Sequence, residues 1–454
     1  MAEIVAIDTP SLGDRSYLVH DGQTAFVVDP QRDIDRMLAA ADRAGVRIRH
    51  VFETHLHNDY VTGGYALAAE TGAAYHVNAG DPVAFRRVPV RDGDVVEAGN
   101  LRIRAAATPG HTFTHLAYVL EEDGRPTGVF TGGSLLYGSV GRPDLLGVAH
   151  TDTLARLQYR SVRRLAEILP DPVPVYPTHG FGSFCAVVAR DVESSTVGRE
   201  RRVNPALTLT EPAFLRMLAG LGEWPAYYAH MGARNAAGPA APDLSPPPPA
   251  DPTELRRRRS GGEWVVDLRH RTAFAACHVR GTYNVGLDGD FATTLGWLMP
   301  WGTPVTLLGE TERDVACAQR ELVRIGVDRP AAAATGSPER WAGGTELSTY
   351  RRATFADLAV ARAHTPVTVL DVRRRPEWCD ARLAHAVHVP LHELAGRLGE
   401  LPDGDVWVHC AGGYRAAVAA SILAAAGRPV VAVDDDFTNA GSAGLPVVTG
   451  PPAS

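Results

Sequence analysis

Two short stretches hold the residues best suited to chemistry. In "THLHNDY" (54–60) two histidines stand two apart, an aspartate follows two further on, and a tyrosine comes next. In "VWVHCAGGYR" (406–415) an apolar run ends at Cys410, and Arg415 opens a helical stretch after four intervening residues. Imidazoles and carboxylates spaced as in the first stretch hold divalent ions such as zinc, iron or manganese. The second stretch suits a nucleophile or a sulfur carrier. Amides at a helix N-terminus favour a thiolate there, and equally an anion or a persulfide borne on the sulfur.

Three further fragments share the logic of a strand running into a loop, the first and last placing histidine there: "TPGHTFTH" (108–115), "VFTGGSLLYGSVGRPDL" (129–145) and "VYPTHGFGS" (175–183). Loops at strand ends can converge, so His55, His57, Asp59, His111 and His179 are the candidate ligands. His115 and His76 read as structural, and Cys185 as a buried, inert thiol. These fragments, in this order, resemble the metallo-β-lactamase fold over residues 1–232, nearest its glyoxalase II and persulfide dioxygenase branch. The resemblance implies an αββα sandwich with His55, His57 and His111 at a first metal site, and Asp59 and His179 at part of a second. Tyr60 stands where the second site has histidine, and the family's "TGD" motif reads Thr131-Gly132-Gly133, without its bridging aspartate. The resemblance therefore implies one divalent ion, Fe(II), with zinc as the alternative, since an all-histidine site suits zinc and hydrolysis. A carboxylate restored at Gly133 is expected to tighten iron binding. Arg142, in "GRPDL", matches a segment lining the relatives' substrate pocket and is expected to hold a carboxylate of the thiol substrate.

The sulfur end is repeated. "WVVDLRHRTAF" (264–274) matches "VTVLDVRRRPEW" (367–378), aligning Asp267 with Asp371 and Arg269 with Arg373. "GTPVTLLGETER" (302–313) then matches "GDVWVHCAGGYR" (404–415). The second copy resembles the rhodanese family, whose ring of four residues between cysteine and arginine is one shorter than the cradle of cysteine phosphatases. This implies that Cys410 carries sulfane sulfur, that Gly412 and Gly413 shape the cradle, and that Arg415 orients the donor. In the first copy Leu308 aligns with the nucleophile, Arg313 is kept, and two glutamates enter the loop. Cys277 and Cys317 lie elsewhere and do not replace the thiol. Residues 260–346 are thus expected to be a rhodanese-like domain without its catalytic cysteine, and 351–450 the active one.

The elements that must position these residues are α/β throughout: short apolar strands separated by helical stretches, over a length of 454 residues that calls for several domains. A proline-rich segment, 233–259, reads as an extended linker that cannot join a packed core. Hydrophobic content of 45% and charged content of 21% are those of a globular protein. The net charge of −7 leaves no basic footprint for nucleic acid. All 45 basic residues are arginine. No signal peptide or membrane span is read, and five scattered cysteines fit reduced thiols in the cytoplasm. The whole order resembles fused persulfide dioxygenase–sulfurtransferases. Partners expected from the resemblance are small thiols and persulfides with thiosulfate or sulfite, while homo-oligomerisation stays open. The rival expectations are a mononuclear zinc thioester hydrolase joined to a rhodanese, and a non-catalytic scaffold that presents Cys410.

Overall fold

The computed structural model describes residues 2–188, 192–344 and 347–450. They form two compact units, one of Met1–Asp243 with Leu322–Gly326, the other of Leu244–Glu321 with Val327–Ser454.

The first unit is built on two six-stranded sheets, each with its strands in sequence order. One runs from Glu3–Thr9 to Val88–Val90, the other from Val95–Ala98 to Ser195–Thr196. Period-two alternation sorts the side chains. Tyr17, Val19, Phe26, Val28 and Phe52 of the first sheet meet Leu116, Tyr118, Leu120 and Phe130 of the second in a shared core. The intervening residues Leu18, Ala25, Val27 and Val51 face the other way, against the Asp35–Ala44 and Gly64–Thr71 helices. Ala117, Val119 and Val129 likewise face the long Val148–Ile168 helix. Strands buried on both faces between helical layers make the αββα sandwich. Thr24–Val28, Arg47–Phe52, Leu101–Ala107, Arg125–Gly132 and Pro174–Pro177 each run directly into a loop that bears candidate residues.

The second unit repeats one topology. Trp264–Asp267 lies between Tyr283–Asn284 and Val305–Gly309, with Ala332–Thr335 beyond, all parallel. Thr368–Asp371 lies between Val387–His388 and Val406–His409, with Val430–Val433 beyond, again parallel. Each copy closes its first strand end with the same buried pair. Arg269 grips Asp267 through Nη2 at 2.6 Å and donates to the Cys277 carbonyl at 2.8 Å. Arg373 grips Asp371 at 2.6 Å and donates to the Ala381 carbonyl at 2.7 Å.

The 233–259 linker is corrected. Its first residues belong to the Tyr228–Ala237 helix of the first unit. Its last ones form the Pro252–Ser260 helix, N-capped by Asp251. Between them the proline run lies along a sheet edge. Ala250 N–H donates to the Ala333 carbonyl at 2.8 Å, and Ala333 N–H donates to the Pro248 carbonyl at 2.9 Å. Proline lacks an N–H, but an edge strand needs donors only at alternate residues. This segment and its helix correspond to Arg351–Ala353 and Phe355–His364 of the second copy, where Arg351–Ala353 pairs with Val430–Val433. The first copy therefore begins near Pro248 rather than at 260, and 345–346 at its other end lie outside the described residues. Among the described residues no helix is long and apolar enough to cross a membrane.

Candidate metal centre and sulfur-carrier site

His55, His57, His111 and His179 converge in a buried cluster. Their ring centroids are 4.1 Å apart for His55–His57, 4.8 Å for His55–His111, and 5.4 Å for His179 from both His55 and His111. Ligand atoms of His55, His111 and His179 fall within 4.8 Å of one another, and so do those of His57, Asp59 and His179. This differs from the sequence grouping of His55, His57 and His111, because His179 sits where it can serve either set.

Each ring is held from its outer nitrogen. His111 Nδ1 lies 2.8 Å from the Arg142 carbonyl, and His55 Nδ1 2.9 Å from Thr54 Oγ1. His179 Nδ1 lies 2.8 Å from Asp14 and 3.1 Å from Asp59. His57 Nε2 faces Tyr60 at 2.9 Å and the carboxylates of Asp29 and Glu53 at 3.3 Å each. Several inner atoms have no partner among the described residues. His57 Nδ1, His111 Nε2 and Asp59 Oδ1 are buried without a hydrogen bond, and the Nε2 atoms of His55 and His179 face each other at 3.5 Å. Buried polar atoms are rarely left orphaned, so these inward-facing donors fit a divalent cation.

The charges agree. Burial pulls His57 down, but Asp29 and Glu53 prevail and lift its pKa to about 9. Burial, with the neighbouring His179, pushes His111 down to about 3, keeping it a neutral ligand. Burial and the Asp59 charge push Asp14 up to about 7, while Asp59 itself is lowered by His179 against its burial.

Asp14, Asp29, Glu53 and Asn235 escaped the sequence reading. Asp29 sits in "VVDP" at a strand end with a positive φ of 49°, and accepts from Thr54 N and Thr54 Oγ1, each at 2.7 Å. A carboxylate between an apolar strand and a proline was its only signal. Asn235 lies inside the segment read as linker. Its Nδ2 donates to the His57 and Tyr60 carbonyls at 2.8 and 2.9 Å, and its Oδ1 accepts from Thr62 N–H at 2.9 Å.

Two sequence expectations change here, those for Arg142 and Gly133. Arg142 is 4% exposed, and its guanidinium grips Asp144 with two 2.6 Å bonds and the Gly222 carbonyl with another, so it is committed within the protein instead of facing a substrate carboxylate. Gly133 has no positive φ, but a Cβ there would lie 2.3 Å from His111 Cδ2, so the ring fills the place a carboxylate would take. A restored aspartate would strike a ligand before it could become one. Tyr60 stacks on the face of the His57 ring with centroids 4.2 Å apart, and its hydroxyl lies 2.9 Å from Nε2, so it holds the ring in place. His115 bridges Thr108 Oγ1 at 2.8 Å and Gly133 N–H at 2.9 Å, and His76 contacts His50 at 3.0 Å. Cys185 is buried, and burial raises its thiol well above the usual range.

In the second unit Cys410 ends the Val406–His409 strand, buried at the mouth of the Tyr414–Ala425 helix. Its Sγ accepts Gly413 N–H at 3.1 Å. Gly413 has φ 91°, and a Cβ there would lie 2.2 Å from Asp434 Oδ1, so only glycine fits; Gly412 faces open space. Arg415 is held by a residue to which the sequence reading gave no role. Its two terminal nitrogens reach Glu377 at 2.7 and 2.8 Å. Burial works against Glu377's charge, but Arg415 prevails and lowers its pKa to about 2.

The first copy's nucleophile position also shifts. Leu308 pairs with Asp267 as His409 pairs with Asp371, and their carbonyls accept from Leu268 and Val372 respectively. Gly309, not Leu308, therefore occupies the place of Cys410. The loop to the Glu312–Arg324 helix is one residue shorter, and the conclusion that no thiol stands there is unchanged.

Comparison with known proteins bears on both ends. The metallo-beta-lactamase superfamily model matches residues 14–180. The hydroxyacylglutathione hydrolase of Rhodopseudomonas palustris (strain BisA53) is 30% identical over 257 residues, 54% of this chain and 93% of that protein. The chain belongs to the metallo-beta-lactamase superfamily. The persulfide dioxygenase ETHE1, mitochondrial, of Homo sapiens is 28% identical over 211 residues, 46% of this chain and 75% of that protein. The rhodanese-like domain model matches residues 354–442, which contain Cys410 and Arg415. A metallo-beta-lactamase from Staphylococcus aureus subsp. aureus COL superposes with a TM-score of 0.67 at 27% identity, covering 74% of this chain and 99% of that one. This superfamily member thus joins a domain related to a persulfide dioxygenase and a hydroxyacylglutathione hydrolase, with a candidate metal-binding cluster, to a rhodanese domain.

Proposed function

We propose that the chain is a sulfur-metabolism enzyme in which the metal domain oxidises a low-molecular-weight persulfide and the rhodanese domain carries sulfane sulfur on Cys410. The observation that carries this reading is the Cys410 cradle, with Gly413 N–H on the sulfur and Arg415 fixed by Glu377 at the rim. Such a cradle stabilises anionic sulfur without selecting a phosphate. In the transfer, the Cys410 thiolate attacks the outer sulfur of a donor R–S–SH. The S–S bond of the donor breaks, R–S⁻ leaves with the electron pair, and Cys410 holds –S–SH. With thiosulfate the same attack releases sulfite.

In the metal domain His55, His111 and His179, with His57 and Asp59 beside them, would hold one divalent ion, Fe(II) on this reading. That ion supplies the redox chemistry with O2 that persulfide oxidation requires. The chain's own part is to orient the imidazoles: Thr54, Arg142 and Asp14 take the outer nitrogens of His55, His111 and His179, and Asp29 with Glu53 takes that of His57. The domain plan supported by the sheets is a metal domain to about residue 243, a non-catalytic rhodanese-like copy from about 248 to 344, and the active copy from about 351.

A zinc thioester hydrolase is the second reading, favoured by the imidazole-rich cluster with no carboxylate at Gly133 and by the likeness to a hydroxyacylglutathione hydrolase. Metal content after anaerobic purification, with O2 uptake on glutathione persulfide, separates the two. Iron with stoichiometric O2 uptake is expected. Zinc with thioester cleavage and no O2 uptake refutes the dioxygenase reading. Cys410→Ser should abolish sulfur transfer from thiosulfate, and substantial residual activity would refute the sulfur-carrier assignment.

A further inference from the structure

The copy that lacks a thiol is built into the cradle of the copy that has one. Tyr414, inside the cradle, donates from its hydroxyl to the Gly286 carbonyl of the first copy at 2.9 Å. Gly289 lies flat against the Tyr414 ring, where a Cβ would come within 2.5 Å of Cε2. Asp434, whose Oδ1 excludes a side chain at Gly413, is held by Arg271 of the first copy at 2.8 Å and by Arg352 at 2.6 Å. Gly286 and Gly289 are thus pinned against Tyr414, the residue before Arg415, and the residue that follows the Gly289 contact is Asp290.

Asp290 precedes the Phe291–Leu298 helix, but its side chain makes no capping hydrogen bond there. Its side chain is exposed by area, but the protein packed around it raises its pKa by desolvation, against the opposing pull of the Arg415 and Arg374 guanidiniums, which favour its charged form. Its own charge and that of Asp288 act on Tyr414. Arg374 and Arg415 both contact Glu377, so the rim of the Cys410 site holds two guanidiniums and two carboxylates. Without Asp290 the rim would carry a net positive charge.

We propose that Asp290, supplied by the non-catalytic copy, selects the sulfur donor at Cys410 by cancelling the cationic field of Arg374 and Arg415, disfavouring a small dianion such as thiosulfate and favouring a persulfide whose carbon chain bears an ammonium group. This rests on the sulfur-carrier reading of Cys410. The chemistry is the same for both donors, attack by the thiolate on sulfane sulfur with loss of sulfite or R–S⁻, so the selection lies in the charge of the part that leaves.

The test is single-turnover loading of the full chain with thiosulfate and with cysteamine persulfide, followed by intact mass for a protein one sulfur atom heavier. Loading of wild type, absent in Cys410→Ser, checks the sulfur-carrier reading independently of this proposal. Asp290→Asn should raise the second-order rate for thiosulfate about fivefold to tenfold and lower that for cysteamine persulfide by a similar factor, with both effects shrinking as salt is added. Asp290→Glu, which keeps the charge, should retain the wild-type preference. A wild type that loads normally while Asp290→Asn leaves the ratio of the two rates unchanged, or moves both rates in the same direction, overturns the proposal.

Discussion

Gly133 lets the His111 imidazole lie where a bridging carboxylate would otherwise project, and this close approach is the most residue-specific feature of the metal cluster. A single methyl group tests it. Gly133→Ala puts a Cβ 2.3 Å from the ring, so His111 must rotate or shift. The variant should lose about 1–3 kcal/mol of stability by overpacking, and its metal affinity should fall at least about tenfold. Gly133→Asp should bind iron no better than wild type for the same reason. Thermal unfolding with and without metal, and competition with a chelator, measure both effects. A second residue-level test concerns His76, which burial and His50 lower from 6.5 to about 4. As pH falls through this window the unfolded chain takes up the proton and the folded one does not, so stability is lost on acidification, by at most about 1.4 kcal/mol per pH unit. The protection factors of the Ala74–Asn78 amides, the exchange rates corrected for the intrinsic fall with pH, should therefore drop between about pH 7 and 5 in wild type. In His76→Gln that drop should be smaller.

At the scale of elements, the Tyr228–Ala237 helix acts as a clamp on the ligand loop. One buried side chain, Asn235, satisfies the His57 and Tyr60 carbonyls and the Thr62 N–H. Asn235→Ala leaves all three without a partner at a buried site, which costs about 2–4 kcal/mol. The loop that aims His57 Nδ1 inward should then loosen, and bound metal should dissociate faster while far-UV circular dichroism stays near that of wild type. Unchanged metal release would mean that the loop is held by its own carboxylate contacts, chiefly Asp29. The proline-rich segment has a comparable hidden role, for Pro248–Ala250 pair with Ala333 at the sheet edge of the first copy.

For the molecule as a whole, the two candidate chemistries use disjoint residues in separate compact units. His111→Ala should reduce metal content and any activity that depends on it while leaving thiosulfate loading of Cys410 within about twofold of wild type, as expected for sites that share no residues. Cys410→Ser should do the reverse, abolishing loading with metal content intact. Metal analysis and mass spectrometry on both variants complete this cross. Loss of both activities in either variant would contradict the independence of the sites.

Local signals were enough to read much of this protein. The His-x-His-x-Asp stretch, the strand-end histidines and the Cys-x4-Arg loop are contiguous motifs whose chemistry follows from residue type and spacing, and period-two strands gave the α/β layers. Tertiary structure decided what depends on contacts between distant segments. Asp14 meets His179 and Asn235 meets the His57 loop across more than a hundred and fifty residues, and no spacing rule reaches so far. Strand register decided that Gly309 rather than Leu308 faces the place of Cys410, because a one-residue slip is invisible where two loops differ in length. Packing decided that Gly133 cannot regain its carboxylate and that Arg142 is spent on Asp144, since the sequence names a side chain but not what already fills its space. The proline run was misread for the same reason: its composition forbids a central strand, and only the open edge at Ala332–Thr335 made it one at the margin.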